Sequence, residues 1–320
     1  MSLPERPITI LIAALGGEGG GVMADWLMEA ATRSGFPAQA TSIPGVAQRT
    51  GATTYYLEIY PAQREVLGDK EPVLSLTPSP GNVDVMVASE LIEAGRAMLN
   101  GYVSPERTTL IASTHRIYAT VEKMQMADGR FESERVLEAA RELAKHAVLF
   151  DMRKLAQESG TVINAVLFGA MAGSGVLPLT RQACEDAIRH GGRGAEASLR
   201  GFAAGYEIAV GTRAAPAEAA PPKQARELDE VVTLAVERLR DYQGESYSNL
   251  YLERIKPFQA EAKLAAEVAR QLALWMSYED IIRVADLKTR ATRFERVRKE
   301  VGARDGEPVV VIDYLKPGVE

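Results

Sequence analysis

The stretch Ile8-Thr9-Ile10-Leu11-Ile12-Ala13-Ala14-Leu15-Gly16-Gly17-Glu18-Gly19-Gly20-Gly21 decides how this chain folds. Its apolar half reads as a buried parallel strand. The residues after it, Val22 to Ala31, carry the apolar spacing of a helix packed on a sheet. Strand, glycine turn and helix together aim backbone N–H groups into open space at a helix N-terminus. Such an end attracts phosphate or carboxylate. A tight turn needs about one or two glycines for its backbone conformation. Five glycines between positions 16 and 21 exceed that need. Gly16, Gly17, Gly19 and Gly20 are therefore candidate cofactor-binding positions.

The turn departs from two well-known phosphate motifs. The dinucleotide fingerprint G-x-G-x-x-G has Ala14 in its first position here, with Gly16 and Gly19 in the others. The next predicted strand ends in Thr41-Ser42-Ile43, with no acidic residue to hold a ribose. That weighs against a free-standing Rossmann-type dehydrogenase. No Gly-Lys-Ser or Gly-Lys-Thr follows the glycines, which excludes a P-loop.

Alternating signals continue along the chain. Strands are predicted at 8–14, 38–43, 53–60, 83–88, 109–113 and 147–150. Helices are predicted at 22–33, 90–99, 134–145, 162–172, 181–190 and 195–208. This order predicts an α/β fold: three α/β/α layers around a mostly parallel, Rossmann-like sheet. Tyr55, Leu57 and Ile59 alternate with Tyr56, Glu58 and Tyr60, which suits a half-exposed strand in a hairpin with 73–76. Composition changes after Gly211, where Ala214 to Pro222 is rich in Ala and Pro. The expected organisation is an α/β domain over 1–212, a linker over 213–225 and a mostly helical region over 226–320. Helices are expected over 228–239 and 260–274, and Val309-Val310-Val311-Ile312 reads as a short strand. A terminal apolar strand needs a neighbour, which leaves open whether the chain is a piece of a longer protein.

Composition bounds the function. The 320 residues carry a net charge of -6, which argues against a general nucleic-acid binder. No apolar stretch reaches membrane-spanning length and no secretory pattern opens the chain. Cys184 is the one cysteine. It excludes a disulfide framework, suits a reducing cytoplasm and cannot by itself ligate an iron–sulfur cluster.

A second constellation, Gly45-Val46-Ala47-Gln48-Arg49-Thr50-Gly51, follows the second strand. Loops at the carboxyl ends of strands in such a sheet converge on one crevice. Arg49 offers a planar charged fork for phosphate or carboxylate, and Gln48 both donates and accepts. Gly45 and Gly51 let the backbone bend or approach a ligand. The alternative is a surface loop with a solvated arginine.

At these two stretches the chain resembles the gamma-type domain of 2-oxoacid:acceptor oxidoreductases, and among them the indolepyruvate oxidoreductase beta-subunit group. The family's turn has the form G-x-G-G-Q-G, against Ala14-Leu15-Gly16-Gly17-Glu18-Gly19 here, so Ala14 and Glu18 depart from it. The G-x-A-Q-R-x-G loop is matched at Gly45, Ala47, Gln48, Arg49 and Gly51. Asp84 to Glu90 and Ile163 to Ala170 are similar to later family stretches, and the likeness covers about 7–210. The resemblance implies a subunit that helps a partner decarboxylate 2-oxoacids oxidatively to acyl-CoA. Thiamine diphosphate and iron–sulfur clusters would lie on an alpha subunit, with ferredoxin reached through the complex and coenzyme A as acyl acceptor. It also implies that the two glycine-rich loops either hold a phosphate of coenzyme A or face the thiamine pocket. The competing reading is a non-catalytic nucleotide- or anion-binding module that regulates or scaffolds a partner.

Other residues carry weaker signals. His115 follows a strand, a crevice position suited to acid–base work, yet no carboxylate partner stands at short spacing, so it reads as a loop histidine. His146 and His190 read as structural, and three scattered histidines with one cysteine give no metal-ligand spacing. Cys184 reads as packing. Asn164 is either a helix-start residue or lines the crevice.

Overall fold

The computed structural model describes residues 6–43, 52–118, 122, 132–192, 194–216, 227–278 and 280–313. The chain divides into two compact units, Met1–Ala220 and Pro221–Glu320. The first holds a six-stranded sheet in the order β2-β3-β1-β4-β5-β6. Its strands are β1 (Ile8–Ala14), β2 (Ala38–Ile43), β3 (Thr53–Ile59), β4 (Val85–Ala88), β5 (Thr109–Ser113) and β6 (His146–Phe150). The helices are α1 (Gly20–Arg33), the single turn α2 (Arg64–Leu67), α3 (Leu91–Leu99), α4 (Ser133–Leu143), α5 (Met152–Ser159), α6 (Ile163–Gly173), α7 (Arg181–His190) and α8 (Ala195–Ala209).

β1, β4, β5 and β6 run parallel, and β3 is antiparallel to both β1 and β2. The direction of β3 has a simple cause: segment 44–52 is too short for the crossover of about a dozen residues that a parallel return needs. Alternate residues of β1 serve opposite layers. Ile10, Ile12 and Ala14 pack with α1 and α6, while Leu11 and Ala13 pack with α3 and α4. Helices therefore cover both faces, and the chain changes face between β1 and β4.

Three expectations need correction. β3 is an interior strand with β2 as its hairpin partner, not a half-exposed strand paired with 73–76. Segment 73–76 forms no strand, because its groups bond to side chains instead of a ladder. The Ser75 N–H donates to Glu58 (2.7 Å), and the Thr41 hydroxyl donates to the Leu76 carbonyl (2.7 Å). Glu58 is consequently only 4% exposed and also accepts from the Tyr56 hydroxyl at 2.5 Å. α5 was absent from the sequence reading. The run 309–312 is not a strand either; Val310 and Ile312 are exposed, with no strand beside them among the described residues.

The second unit is helical: α9 (Leu228–Gln243), α10 (Glu245–Ile255), α11 (Ala262–Met276), α12 (Ile281–Thr289) and α13 (Ala291–Glu300). Val231, Ala235 and Leu239 form one stripe of α9, packed on Tyr251, Ile255, Ala269 and Ala273. The buried Tyr251 hydroxyl donates to the Ala269 carbonyl at 3.0 Å. α12 and α13 bury no residue. Ion pairs tie them down instead, Arg283 and Arg290 both meeting Asp241. Among the described residues no helix is long and apolar enough to cross a membrane.

Candidate functional site

The glycine turn leaves the carboxyl end of β1 and enters α1 through left-handed glycines. Gly17 has φ 88° and Gly19, the N-cap of α1, has φ 76°. Both angles favour glycine, since a Cβ strains this region. Gly20 is required for a different reason: a Cβ there would lie 2.6 Å from the Ala14 Cβ and 2.7 Å from the Tyr55 ring. Gly16 and Gly17 face open space. The N–H groups of Gly16, Gly17 and Gly19 donate to no backbone or side-chain acceptor among the described residues. The turn is thus a bent run of donors without a described acceptor at the start of a 14-residue helix.

The turn lies where the chain changes face between β1 and β4, the place where crevices open in doubly wound sheets. The exit of β4 closes the floor. Ser89, 1% exposed, donates its N–H to the Ala13 carbonyl (2.9 Å) and accepts from the Leu15 N–H through its hydroxyl (3.1 Å). That hydroxyl donates onward to the Glu18 carboxylate. His115, on the segment leaving β5, brings its Nε2 to 3.7 Å from Glu18 Oε1. This separation exceeds a hydrogen bond. The His115 side chain is 8% exposed, and its Nε2 has no hydrogen-bond partner. Its Nδ1 lies 2.8 Å from the Ser113 hydroxyl, which accepts from the Met152 N–H at 3.0 Å.

Burial pushes the Glu18 carboxyl up, but the His115 ring, the Ser89 hydroxyl and the Leu15 backbone outweigh it, and its pKa falls below the ordinary value. Glu90 behaves oppositely. It is 1% exposed, and burial raises its pKa despite the N–H groups of Ile117 and Ile92 and the charge of Arg116. Its carboxylate caps α3 by accepting from the Ile92 N–H (2.8 Å) and also accepts from the Ile117 N–H (3.0 Å). Arg116 Nε stands 3.3 Å from Glu90, and its guanidinium meets Glu122 and donates to the Ser133 hydroxyl. This network clamps the His115 segment beside the exit of β4. Burial likewise raises Glu93, with Arg96 countering and Glu90 and Glu18 adding to it.

The structure brings Gly16, Gly17, Gly19 and Gly20 together with Tyr55 and Asn164. Gly45, Gln48, Arg49 and Gly51 lie outside the described residues. The ends of their loop are placed: Thr53 pairs with Ala14 and Thr54 with Ile43, at the same end of the sheet as the turn. The sequence reading missed the carboxylate partner of His115, because Glu18 reaches it from another loop. It also missed Ser89, for which a serine at the end of an apolar strand was the available signal. Cys184 is buried in α7, and burial, with Glu185, pushes its thiol up to about 12, which suits packing rather than nucleophilic attack. Among the described residues no group of three or more His, Cys, Asp or Glu side chains is placed to hold a metal ion.

Comparison with known proteins gives the following similarities. The profile of the family described as pyruvate ferredoxin/flavodoxin oxidoreductase matches residues 9–208. A family of unknown function (DUF6537) matches 228–320. Indolepyruvate oxidoreductase subunit IorB of Thermococcus kodakarensis is 26% identical over 199 residues, 58% of this chain and 86% of that protein. Among solved structures, pyruvate oxidoreductase subunit PORC of Thermotoga maritima matches with a TM-score of 0.44 and 20% identity over 63% of this chain and 97% of its own. The gamma subunit of a keto/oxoacid ferredoxin oxidoreductase from Geobacter sulfurreducens matches at 0.42 and 18%, over 63% and 98%.

Proposed function

The chain belongs to the pyruvate ferredoxin/flavodoxin oxidoreductase family and is a subunit of a 2-oxoacid:ferredoxin oxidoreductase, and from that premise we propose that it serves an indolepyruvate-type enzyme of the cytoplasm. The substrate would be an aryl pyruvate, decarboxylated oxidatively to its acyl-CoA. The 26% identity to an indolepyruvate oxidoreductase subunit supports this choice of substrate class. An alpha subunit would carry thiamine diphosphate and the iron–sulfur clusters and pass electrons to ferredoxin. The lone buried Cys184 is consistent with clusters held elsewhere, since cluster ligation takes about four cysteines. Coenzyme A would supply the thiol that receives the acyl group.

The observation that carries the role of this chain is the run of N–H donors on Gly16, Gly17 and Gly19, without an acceptor among the described residues, at the β1–β4 change of face. Donors left open at a crevice fit an acceptor brought by a cofactor or partner. Gly16, Gly17, Gly19 and Gly20, with Gly45, Gln48, Arg49 and Gly51 of the second loop, form the cofactor- or partner-facing side of the subunit. The test is a complex reconstituted with its alpha subunit. Arg49→Ala should lower turnover or raise the coenzyme A requirement about tenfold, the scale of one charged hydrogen bond, with an unchanged melting curve. Identical kinetics for variant and wild type, or co-purification without thiamine diphosphate and iron–sulfur absorption, would refute the proposal.

A further inference from the structure

One polar side chain beside the glycine turn has no hydrogen-bond partner among the described residues. Asn164 is 4% exposed and its amide hydrogen-bonds to no described residue. It lies against Gly19, its Nδ2 only 2.6 Å from where a Cβ of that residue would stand. Gly16 and Gly17, in the same turn as Gly19, also have N–H groups that meet no acceptor among the described residues. Together they form an open hydrogen-bonding surface that can both donate and accept.

Glu18 decides what this surface accepts. It sits inside the turn, just before the start of α1, and its carboxylate is held by Ser89 and faced by His115. Its carboxylate belongs to the residue immediately before the N-cap of α1, so a fixed negative charge already stands in the turn. A phosphate on the turn would lie beside a half-buried carboxylate, where like charges repel more strongly than in water. No described cation stands on the turn to offset this; Arg116 is committed to Glu90 and Glu122.

We propose that the turn and Asn164 take an uncharged amide group of a ligand and that Glu18 keeps phosphate out. The ligand's carbonyl would accept from the turn, and its N–H would donate to Asn164 Oδ1. The proposal rests on the crevice being the cofactor- or partner-facing side of the subunit, and it specifies the chemistry admitted there. An amide of this kind belongs either to the arm of a small cofactor or to the backbone of a partner.

The test uses the full chain, 15N-labelled, titrated separately with acetamide and with inorganic phosphate. Acetamide should shift the backbone signals of Gly16, Gly17 and Gly19 and the side-chain signal of Asn164, whereas phosphate at equal concentration should not. Glu18→Gln should tighten phosphate binding at the turn by about tenfold. Asn164→Leu should weaken acetamide binding by about tenfold; should that variant not fold, Asn164→Ser, whose oxygen is too short to reach the same place, should show the same loss. Phosphate shifting the wild-type turn as strongly as acetamide, Glu18→Gln leaving phosphate binding unchanged, or Asn164 variants binding acetamide like wild type would overturn the proposal. Repeating the acetamide titration on the assembled complex separates the two sources. Loss of the response on assembly supports a partner backbone, and its persistence supports a cofactor arm. Failure of the chain to assemble would count against the proposed function and leave the titrations on the chain alone fully readable.

Discussion

Gly20 shows how little room a single position in the turn allows. An added methyl group would meet the Ala14 Cβ and the Tyr55 ring, both inside the sheet–helix junction. Neither neighbour is a free side-chain end. Gly20→Ala should therefore cost about 1–3 kcal/mol, the usual range for overpacking, as read from urea denaturation. Glu18 gives a pH-dependent counterpart. Because its folded pKa is lowered, it contributes stability above the ordinary carboxyl range and loses that contribution as pH falls through the lowered value. Glu18→Gln should thus be less stable than wild type near neutrality, by about 1–2 kcal/mol for hydrogen bonds to a charge. The gap should close in acid. Glu90 and Glu93, raised chiefly by burial, act with the opposite sign but are present in both proteins and cancel in the difference. A gap that stays constant with pH would show that Glu18 is not ionised against these partners.

Among the elements, α6 and α8 make the closest contact, and glycine makes it possible. A Cβ on Gly169 would fall on the Phe202 carbonyl, and one on Gly205 on the Val166 carbonyl. Gly173 repeats the pattern against the Tyr206 carbonyl, whereas Gly201 faces the Thr161 side chain. The backbones touch, so the obstacle is main chain and cannot rotate away. Phe168 and Phe202 then meet edge to face with centroids 5.3 Å apart. Gly169→Ala should destabilise the first unit by about 3 kcal/mol, at the upper end of overpacking costs. Gly175→Ala is no neutral control, because φ 73° at that position strains any side chain. The better control is Ser198→Ala on α8, which removes only a hydroxyl 3.5 Å from Thr161, and it should change stability by less than about 1 kcal/mol. Calorimetry on the full chain distinguishes the two outcomes.

At the scale of the whole molecule, each unit has its own core: two layers around the sheet in the first, and the α9–α10–α11 cluster in the second. Residues 1–216 expressed alone should therefore melt cooperatively, with a transition close to one of those of the full chain. A non-cooperative melt would show that the second unit is needed for the first to fold. The sequence by itself determined all six strands to within about two residues, the helices around the sheet apart from α2 and α5, the glycine turn and the family likeness. Those features depend on neighbours two to about four positions away, and their periodicity is written locally. Only the tertiary structure decided that β3 lies inside the sheet, that Glu18 meets Ser89 across 71 residues and that Leu15 meets Ser89 across 74. The same holds for Asn164 standing against Gly19. Such contacts follow from strand order and from which face each helix covers, and no local pattern in the chain encodes either one.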